Sequence, residues 1–183
     1  MDLFLDADVS NDDAAASLRH IAAMHIAQVS NDDEIALVRS LMREYQHALG
    51  VDLCFQNFET ELAQLPGSYA PPTGRLLLAM HEDVPVGCVA LQAITRERCE
   101  MKRLYIQPIA RGLGLGRALV QRILDEAKSL SYVDVVLDTL PSMSAAQRLY
   151  EQFGFHQIEA YRPNPIAGTR YLRKALVICN SCL

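Results

Sequence analysis

A run of alternating glycines between a strand-like and a helix-like segment constrains the fold of this chain more than any other feature. The stretch RGLGLGRALVQ, residues 111–121, opens with Gly112, Gly114 and Gly116 and continues in a helical pattern. It follows CEMKRLYIQ (99–107), a predicted strand that stops at Pro108 because proline has no N–H for a ladder. A strand, a glycine turn and a helix in this order predict an anion site at the helix N-terminus.

The chemistry of this turn suits a phosphate. The first turn of a helix leaves about four N–H groups unpaired and carries about half a positive charge. Arg111 and Arg117 flank the glycines and add charge that can hydrogen-bond to phosphate oxygens. The spacing excludes the Walker A loop, since no lysine lies between Lys102 and Lys128. It also excludes the dinucleotide fingerprint, whose third glycine would fall on Arg117 or Leu119.

The hydrophobic pattern along the chain predicts a mixed α/β sheet with helices on both faces. The helix at 32–49 begins with Asn31 and Glu34 at the spacing of a capping box, and its apolar residues recur at helical intervals. RLLLAMH and PVGCVALQAI read as a hairpin with a turn at Glu82 to Val84. The remaining elements are a strand at 21–29, helices at 55–65, from the glycines to about Leu130 and at 142–152, and strands at 99–107, 132–138, near 155–161 and at 170–178.

Composition sets the class of protein. With 183 residues, 50% of them hydrophobic, the chain suits one globular domain, which we place at 21–183 behind an extension at 1–20. A net charge of -5 argues against nucleic acid, and the longest apolar run, Leu76–Met80, is too short to span a membrane. Acids near the start favour a cytoplasmic protein. Five cysteines, an odd number in apolar surroundings, predict reduced thiols. Cys179 and Cys182 form a CxxC, but no second pair or nearby histidine accompanies it, so we expect no metal.

Two motifs identify a family resemblance. Arg-x-x-Gly-x-Gly stands at Arg111, Gly114 and Gly116, and A-x-x-L-Y-x-x-x-G-F stands at Ala146, Leu149, Tyr150, Gly154 and Phe155. Together they resemble the GNAT superfamily of acyl-CoA-dependent N-acetyltransferases over residues 99–161. The resemblance implies an α+β fold with a mostly antiparallel sheet of about six to seven strands. Many members carry Asn where this chain has Met143.

The resemblance also implies the cofactor site, with acetyl-CoA as cosubstrate and no metal. Backbone N–H groups of the turn would hold the pyrophosphate, assisted by flanking arginines; the residues concerned are Arg111, Gly112, Leu113, Gly114, Leu115, Gly116 and Arg117. The strand backbone at Leu104, Tyr105 and Ile106 would pair with the pantetheine arm. That pairing needs a gap in the sheet, and we expect Pro108 to create it by ending the pairing with the next parallel strand. The alternative is that Pro108 merely ends its own strand.

Two catalytic roles follow from the same resemblance. Glu100 is the first candidate for the base that deprotonates the amine, with a salt bridge to Lys102 as the structural alternative and Asp138 as the alternative carboxylate. Tyr150 would donate a proton to the departing CoA thiolate, or else pack as a core aromatic beside Phe153 and Phe155.

The acceptor is the least constrained part of the prediction. The residues expected to line its site are Tyr45, Phe55, Tyr69 and Tyr161, with Arg103 or Arg162 as anchors for a carboxylate. We expect acetyl transfer to a primary amine of a small-molecule or amino-acid-like acceptor, with no nucleic acid or membrane partner. The alternatives are a protein lysine or N-terminal acetyltransferase and a non-catalytic acyl-CoA-binding regulatory module. A homodimer stays open.

Overall fold

The computed structural model describes residues 24–51 and 57–177. The extension at 1–20 therefore lies outside the described residues, as do Cys54, Phe55, Cys179 and Cys182. The strands are β1 (Met24–Gln28), β2 (Arg75–His81), β3 (Val84–Ala93), β4 (Arg98–Ile106), β5 (Asp134–Thr139), β6 (His156–Ile158) and β7 (Arg170–Ala175). The helices are α1 (Asp32–Leu49), α2 (Phe58–Ala63), α3 (Leu115–Ser129) and α4 (Ser144–Gln152).

The strands form one seven-stranded sheet in the order β1-β2-β3-β4-β5-β7-β6. All neighbouring strands are antiparallel except β4 and β5, which run parallel. This mixed, mostly antiparallel sheet is the predicted architecture. The predicted hairpin is also present: β2 and β3 join through Glu82 and Asp83, both at positive φ, as a tight two-residue turn requires.

Helices cover both faces of the sheet, and each face has its own apolar core. On one face, α1 and α2 pack on β2 and β3 through Val38, Met42 and Phe58. On the other face, α3 contributes Leu119, Ile123 and Leu124, and α4 contributes Tyr150. The central strands are therefore buried on both sides, which accounts for their continuous apolar sequences.

The first helix is fixed at both ends by its own sequence. Asn31 Oδ1 accepts a hydrogen bond from the Glu34 N–H over 2.9 Å, while the Glu34 carboxylate accepts from the Ser30 N–H over 2.6 Å. The capping box is thus present, although its return bond goes to Ser30 rather than to Asn31. The helix ends at Gly50 in the left-handed region, with φ 64. These boundaries place Tyr45 and Leu49 near the centre of the sheet.

The parallel strands β4 and β5 separate soon after they meet. Their ladder covers only Arg98, Cys99 and Glu100 on β4, so within the described chain residues 101–106 have no partner strand on that side. A β-bulge accompanies the separation: the register against β3 shifts so that Arg103 and Leu104 lie opposite the single residue Val89, and Arg103 takes φ 56. Such a bulge bends its strand.

The prediction that Pro108 opens the sheet is wrong. Pairing with β5 has already ended after Glu100, and Pro108 only begins a short 3-10 turn, Pro108–Ala110. The bulge at Arg103, not the proline, coincides with the gap.

No helix within the described ranges is long and apolar enough to cross a membrane.

Candidate active site

A groove of about 700 Å³ lies where β4 and β5 separate. One wall is β4 with the glycine turn, the other is α4, and the end of α1 closes the inner side. The groove brings together the predicted cofactor residues: Leu104, Tyr105, Ile106, Arg111, Gly112, Gly114, Leu115, Gly116 and Arg117 all line it, whereas Leu113 does not. Its volume is typical of a small-molecule site.

The glycine turn is shaped to receive a group against its backbone. Gly112 and Gly114 have φ 83 and 79, a region that side chains disfavour, and an added Cβ at either would meet nothing within 4 Å. Gly116 serves packing instead, since a Cβ there would lie 3.0 Å from Ile106 Cδ1. Gly114 caps α3 without any side-chain cap, so the first N–H groups of the helix remain available. Open space over unpaired donors fits a pyrophosphate.

Three arginines give the groove positive charge. Arg111, Arg117 and Arg148 line it, and none of them has an acidic partner within the described part of the chain. Arg111 donates to the Ile106 carbonyl over 3.1 Å, and Arg117 donates to Gln152 and lies over the Phe153 ring. A local cationic surface on an acidic protein suits a phosphorylated ligand. Sequence reasoning missed Arg148, although it lies only two positions before Tyr150 in the second motif.

The strand wall offers its backbone rather than particular side chains. Leu104, Tyr105 and Ile106 lie beyond the end of the β4–β5 ladder. The edge of β4 that faces away from β3 therefore has no partner strand at these residues within the described chain. The Tyr105 ring packs edge-on against Tyr45, with ring centroids 6.1 Å apart. An extended segment with an open edge can take an extended ligand as if it were another strand.

The groove continues into a small pocket. Four residues line both spaces and so mark the junction: Tyr45, Leu49, Leu104 and Met143. The pocket encloses about 40 Å³, room for two or three water molecules. Its polar lining residues include Lys102 on β4, Asp138 on β5, Tyr150 on α4 and Arg162 from the segment between β6 and β7. Met143 therefore lies at the junction, where many family members carry an amide.

Tyr150 presents its hydroxyl at this pocket. The side chain is 4% exposed, and its ring packs against Phe155 with centroids 5.8 Å apart. Its hydroxyl has no hydrogen-bond partner among the described residues. Burial, with smaller contributions from Tyr45 and Asp138, raises the pKa of Tyr150. The phenol is thus a protonated donor that the protein itself does not use, although its ring belongs to the core.

Glu100 lies beneath the pocket and is surrounded by donors. It is 2% exposed and does not line the pocket. Tyr161 donates to its Oε1 over 2.7 Å, Gln92 donates to Oε2 over 2.8 Å, and Arg162 pairs with it over 3.0 Å. The alternative partner, Lys102, shares the strand face but forms no salt bridge with it. Arg162 both contacts Glu100 and lines the pocket, so it connects the two.

Asp138 has more direct access than Glu100. It lies near the end of β5 and lines the pocket. Arg162 donates to its Oδ1 over 2.6 Å, and Asn164 donates to Oδ2 over 2.9 Å. Arg162 thus bridges the two candidate carboxylates, one on each of the strands that separate. The Arg162 guanidinium, predicted as an anchor for an acceptor carboxylate, thus already forms ion pairs with two carboxylates of the protein.

Arg103 does not fit the predicted role of a carboxylate anchor. Its side chain is 3% exposed and forms a two-pronged ion pair with Glu61, over 2.6 and 2.7 Å, while its guanidinium also lies over the Phe58 ring. Burial works against both charges, but Arg103 more than offsets it at Glu61, whose pKa falls below its usual range. This pair ties the bulge in β4 to α2.

Of the remaining residues predicted to line the acceptor site, only one described residue does so. Tyr45 lines both groove and pocket, and burial raises its pKa to about 12. Tyr69 is 1% exposed, donates to Glu61 and lines neither space, so it belongs to the core. Tyr161 contacts Glu100 rather than open space, and Phe55 lies outside the described residues. No group of His, Cys, Asp or Glu within the described ranges is arranged to hold a metal.

Comparison with known proteins assigns the chain to a family. The sequence profile of the acetyltransferase (GNAT) family matches residues 35–155. An uncharacterized N-acetyltransferase of Schizosaccharomyces pombe is 41% identical over 150 residues, which cover 81% of this chain and 92% of the relative. The N-acetylaspartate synthetase of Danio rerio is 33% identical over 101 residues, 54% of this chain and 36% of that protein.

The fold has solved counterparts. A putative acetyltransferase from Salmonella typhimurium, solved with its cofactor acetyl-CoA, aligns with a TM-score of 0.60 at 21% identity. The alignment covers 85% of this chain and 95% of that one. At this identity the likeness concerns the fold.

Proposed function

Because the chain belongs to the acetyltransferase (GNAT) family and its relatives are N-acetyltransferases, we propose that it transfers an acetyl group from acetyl-CoA to a primary amine of a small, amino-acid-like acceptor. The observation that carries this proposal is the continuity of the cleft. A cationic groove over unpaired helix N–H groups leads, past Tyr45 and Leu104, into a narrow pocket with a carboxylate and a free phenol. Donor and acceptor would approach from its two ends.

The groove residues would hold the CoA portion. N–H groups at the start of α3 and the side chains of Arg111, Arg117 and Arg148 would bind its phosphates, and the open edge of β4 would hold the pantetheine arm. Bound there, acetyl-CoA supplies a thioester whose acetyl group can pass directly to an amine. A backbone N–H of the same strand segment could stabilise the negative charge that develops on the thioester oxygen.

The amine must lose a proton before it can attack. Neutralising a lysine-like amine with a pKa near 10.4 at pH 7 costs about 4 to 5 kcal/mol. We propose that Asp138 accepts this proton, directly or through water, because it lines the pocket. Glu100, the first candidate from the sequence, would act on the pocket through Arg162, which contacts it and lines the pocket.

Tyr150 would protonate the departing thiolate. Its raised pKa keeps the phenol protonated at neutral pH, and its hydroxyl has no partner in the described protein that would compete for the proton.

The size of the pocket supports a slender acceptor. About 40 Å³ accommodates an amino group and the first atoms of its chain, but not a bulky head group. An amino-acid-like acceptor is supported by the likeness to a relative named N-acetylaspartate synthetase, which extends over 54% of this chain.

Two measurements test the proposal. Isothermal titration calorimetry with acetyl-CoA should show one site per chain. A thiol-release assay over aliphatic amines, free amino acids and lysine-containing peptides should then give turnover with a small amine. Turnover with peptides alone would identify a protein acetyltransferase, and binding without any turnover would identify a non-catalytic acyl-CoA module. Absence of binding would overturn the function altogether.

A further inference from the structure

Lys102 is the one primary amine among the described residues that line the small pocket, and the reaction assigns it no task. It lies on β4, just before the bulge, and is one of the residues that line the pocket, together with Asp138, Tyr150 and Arg162. It forms no hydrogen bond and no ion pair within 4.0 Å in the described part of the protein. The neighbouring carboxylates are engaged elsewhere, Glu100 and Asp138 with Arg162, and Glu61 with Arg103.

A primary amine in this position resembles the acceptor itself. The pocket adjoins the groove at Leu104 and Met143, and Lys102 and Tyr150 are both lining residues of the same space of about 40 Å³. An amine held there needs no further binding step to come near the thioester, which replaces an encounter between two molecules by a step within one. We propose that Lys102 takes the acetyl group itself when no acceptor is bound, so that the pocket is a site of self-acetylation; this inference rests on the proposed function.

The charges around Lys102 favour its neutral, nucleophilic form. Burial and the neighbouring Arg103 lower the pKa of the Lys102 amine, and Arg162 acts in the same direction. Glu100 and Glu61 act the other way but do not reverse the shift. Asp138, Tyr45 and Tyr150 are the other titratable groups that line the pocket. An acceptor amine has to be deprotonated after it binds, whereas this one is partly prepared by its surroundings.

The transfer balances without any further reagent. The lone pair of the neutral Nζ forms a C–N bond to the acetyl carbonyl carbon, and the C–S bond breaks. The sulfur leaves as a thiolate and receives a proton from the Tyr150 hydroxyl. The proton lost by Nζ restores Tyr150, so the products are N-acetyl-Lys102 and free CoA.

The product would change the pocket in two ways. The added carbonyl and methyl groups occupy the space that an acceptor amine would enter, because the pocket holds only about 40 Å³. The amine also becomes an amide that cannot take up a proton, so Arg162 is the cation that still faces Glu100 and Asp138. We therefore expect acetylated protein to bind CoA but to turn over poorly.

The experiment uses the intact chain and acetyl-CoA alone. The chain has three lysines, Lys102, Lys128 and Lys174, so each can be followed separately by peptide mass mapping over time. Lys128 serves as the internal reference, because it is exposed and pairs with Asp125 on the far end of α3. Acetylation of Lys102 should exceed that of Lys128 by about 10²-fold or more, with a rate independent of protein concentration.

Variants separate this inference from the proposed function. Lys102→Met and Lys102→Arg should lose the added acetyl group and keep CoA affinity by calorimetry, and Tyr150→Phe should slow the modification about 10²-fold. Normal CoA binding with Lys102 unmodified, or modified no faster than Lys128, would overturn the inference and leave the function standing. A rate that grows with protein concentration would also overturn it. Absence of CoA binding would remove both.

Discussion

The guanidinium of Arg162 lies 2.6 Å from the Asp138 carboxylate and, because it also contacts Glu100 at 3.0 Å, it joins β5 to β4 just where their backbones separate. The ladder between the strands ends at Glu100, so this side chain replaces backbone bonds across the gap. The side chains of Asp138 and Glu100 are 12% and 2% exposed, so both would be buried carboxylates without a counter-charge if Arg162 were absent. The cleft therefore depends on one residue from the segment between β6 and β7.

Replacing Arg162 with Ala should destabilise the protein by about 3 kcal/mol, because it leaves two buried carboxylates without their counter-charge. Urea unfolding followed by circular dichroism measures the change. The matched control is Arg43→Ala, which removes an exposed pair with Glu59 and should cost less than about 1 kcal/mol. Equal losses in the two variants would show that Arg162 does not hold the cleft.

Gly114→Val should abolish detectable CoA binding while the protein stays folded. The side chain would project into the open space over the start of α3, where the phosphates are expected. Its backbone strain needs a control, since φ at this position is 79. Gly50→Val provides one: φ there is 64, and its added Cβ also meets nothing within 4 Å. Calorimetry should find CoA affinity lost only in Gly114→Val.

Tyr150→Phe should lower kcat about 10²-fold or more and leave CoA affinity unchanged, since only proton donation is removed. Its stability should hold, because the hydroxyl has no partner in the described protein to leave unsatisfied. Tyr132→Phe is the converse control: that hydroxyl donates to the Thr73 carbonyl over 2.7 Å, so its loss costs about 1 kcal/mol of stability without affecting turnover per folded molecule. If Tyr150→Phe behaves like Tyr132→Phe, Tyr150 is a core residue only.

Asp138→Asn should reduce kcat/KM about 10²-fold at pH 7, and the deficit should shrink as the pH rises. The reason is that the free amine itself becomes neutral as the pH approaches its pKa of about 10.4. Glu100→Gln is the comparison, since it changes the other carboxylate by the same isosteric step. Under our assignment it lowers stability but keeps the pH dependence of the wild type. A pH-dependent deficit in Glu100→Gln alone would make Glu100 the base.

The parts of the fold that the sequence predicted are those decided by neighbouring residues. The helix predicted at 32–49 is observed as Asp32–Leu49, since its caps, Asn31 and Gly50, directly flank it and its apolar stripe lies within it. The turn at Gly112 and Gly114 likewise has the conformation that glycine permits and other residues resist. Local conformational preferences are sufficient in both cases.

The features that the sequence did not predict depend on distant partners. The bulge places Arg103 at positive φ, which no local pattern favours for arginine; Glu61, 42 positions away, holds its side chain. Arg162 reaches Glu100 over 62 positions and Asp138 over 24. The sequence points to Pro108 as the cause of the gap because a proline is visible in a sequence, whereas a bulge held by long-range ion pairs is not.

The ion pairs of Asp134 should make the stability of the sheet depend on pH in the acidic range. It begins β5 with a side chain 7% exposed, and it accepts from Arg98 over 2.6 and 2.9 Å and from Arg173 over 2.8 Å, so it links β5 to both β4 and β7. Hydrogen bonds and charge from Arg98, with Arg173, outweigh burial and lower the pKa of Asp134 below its ordinary value of 3.8. A carboxyl group with a lowered pKa stabilises the fold above its unfolded pKa and loses that contribution as the pH falls through its folded pKa.

Asp134→Asn should therefore cost about 3 kcal/mol at pH 7, because two guanidinium groups lose their shared anion. The difference from wild type should stay constant down to about pH 4 and then shrink, because the unfolded chain takes up a proton at Asp134 there while the folded protein does so only at a lower pH. Urea unfolding of both proteins at about pH 7, 5, 4 and 3 measures this course, because these values bracket the carboxyl pKa of about 3.9 in the unfolded chain. Asp125→Asn, which changes an exposed carboxylate on α3, should cost less than about 1 kcal/mol throughout. A constant difference for Asp134→Asn across the acidic range would mean that the carboxylate keeps no lowered pKa, and that Arg98 and Arg173 hold the strands by hydrogen bonds alone.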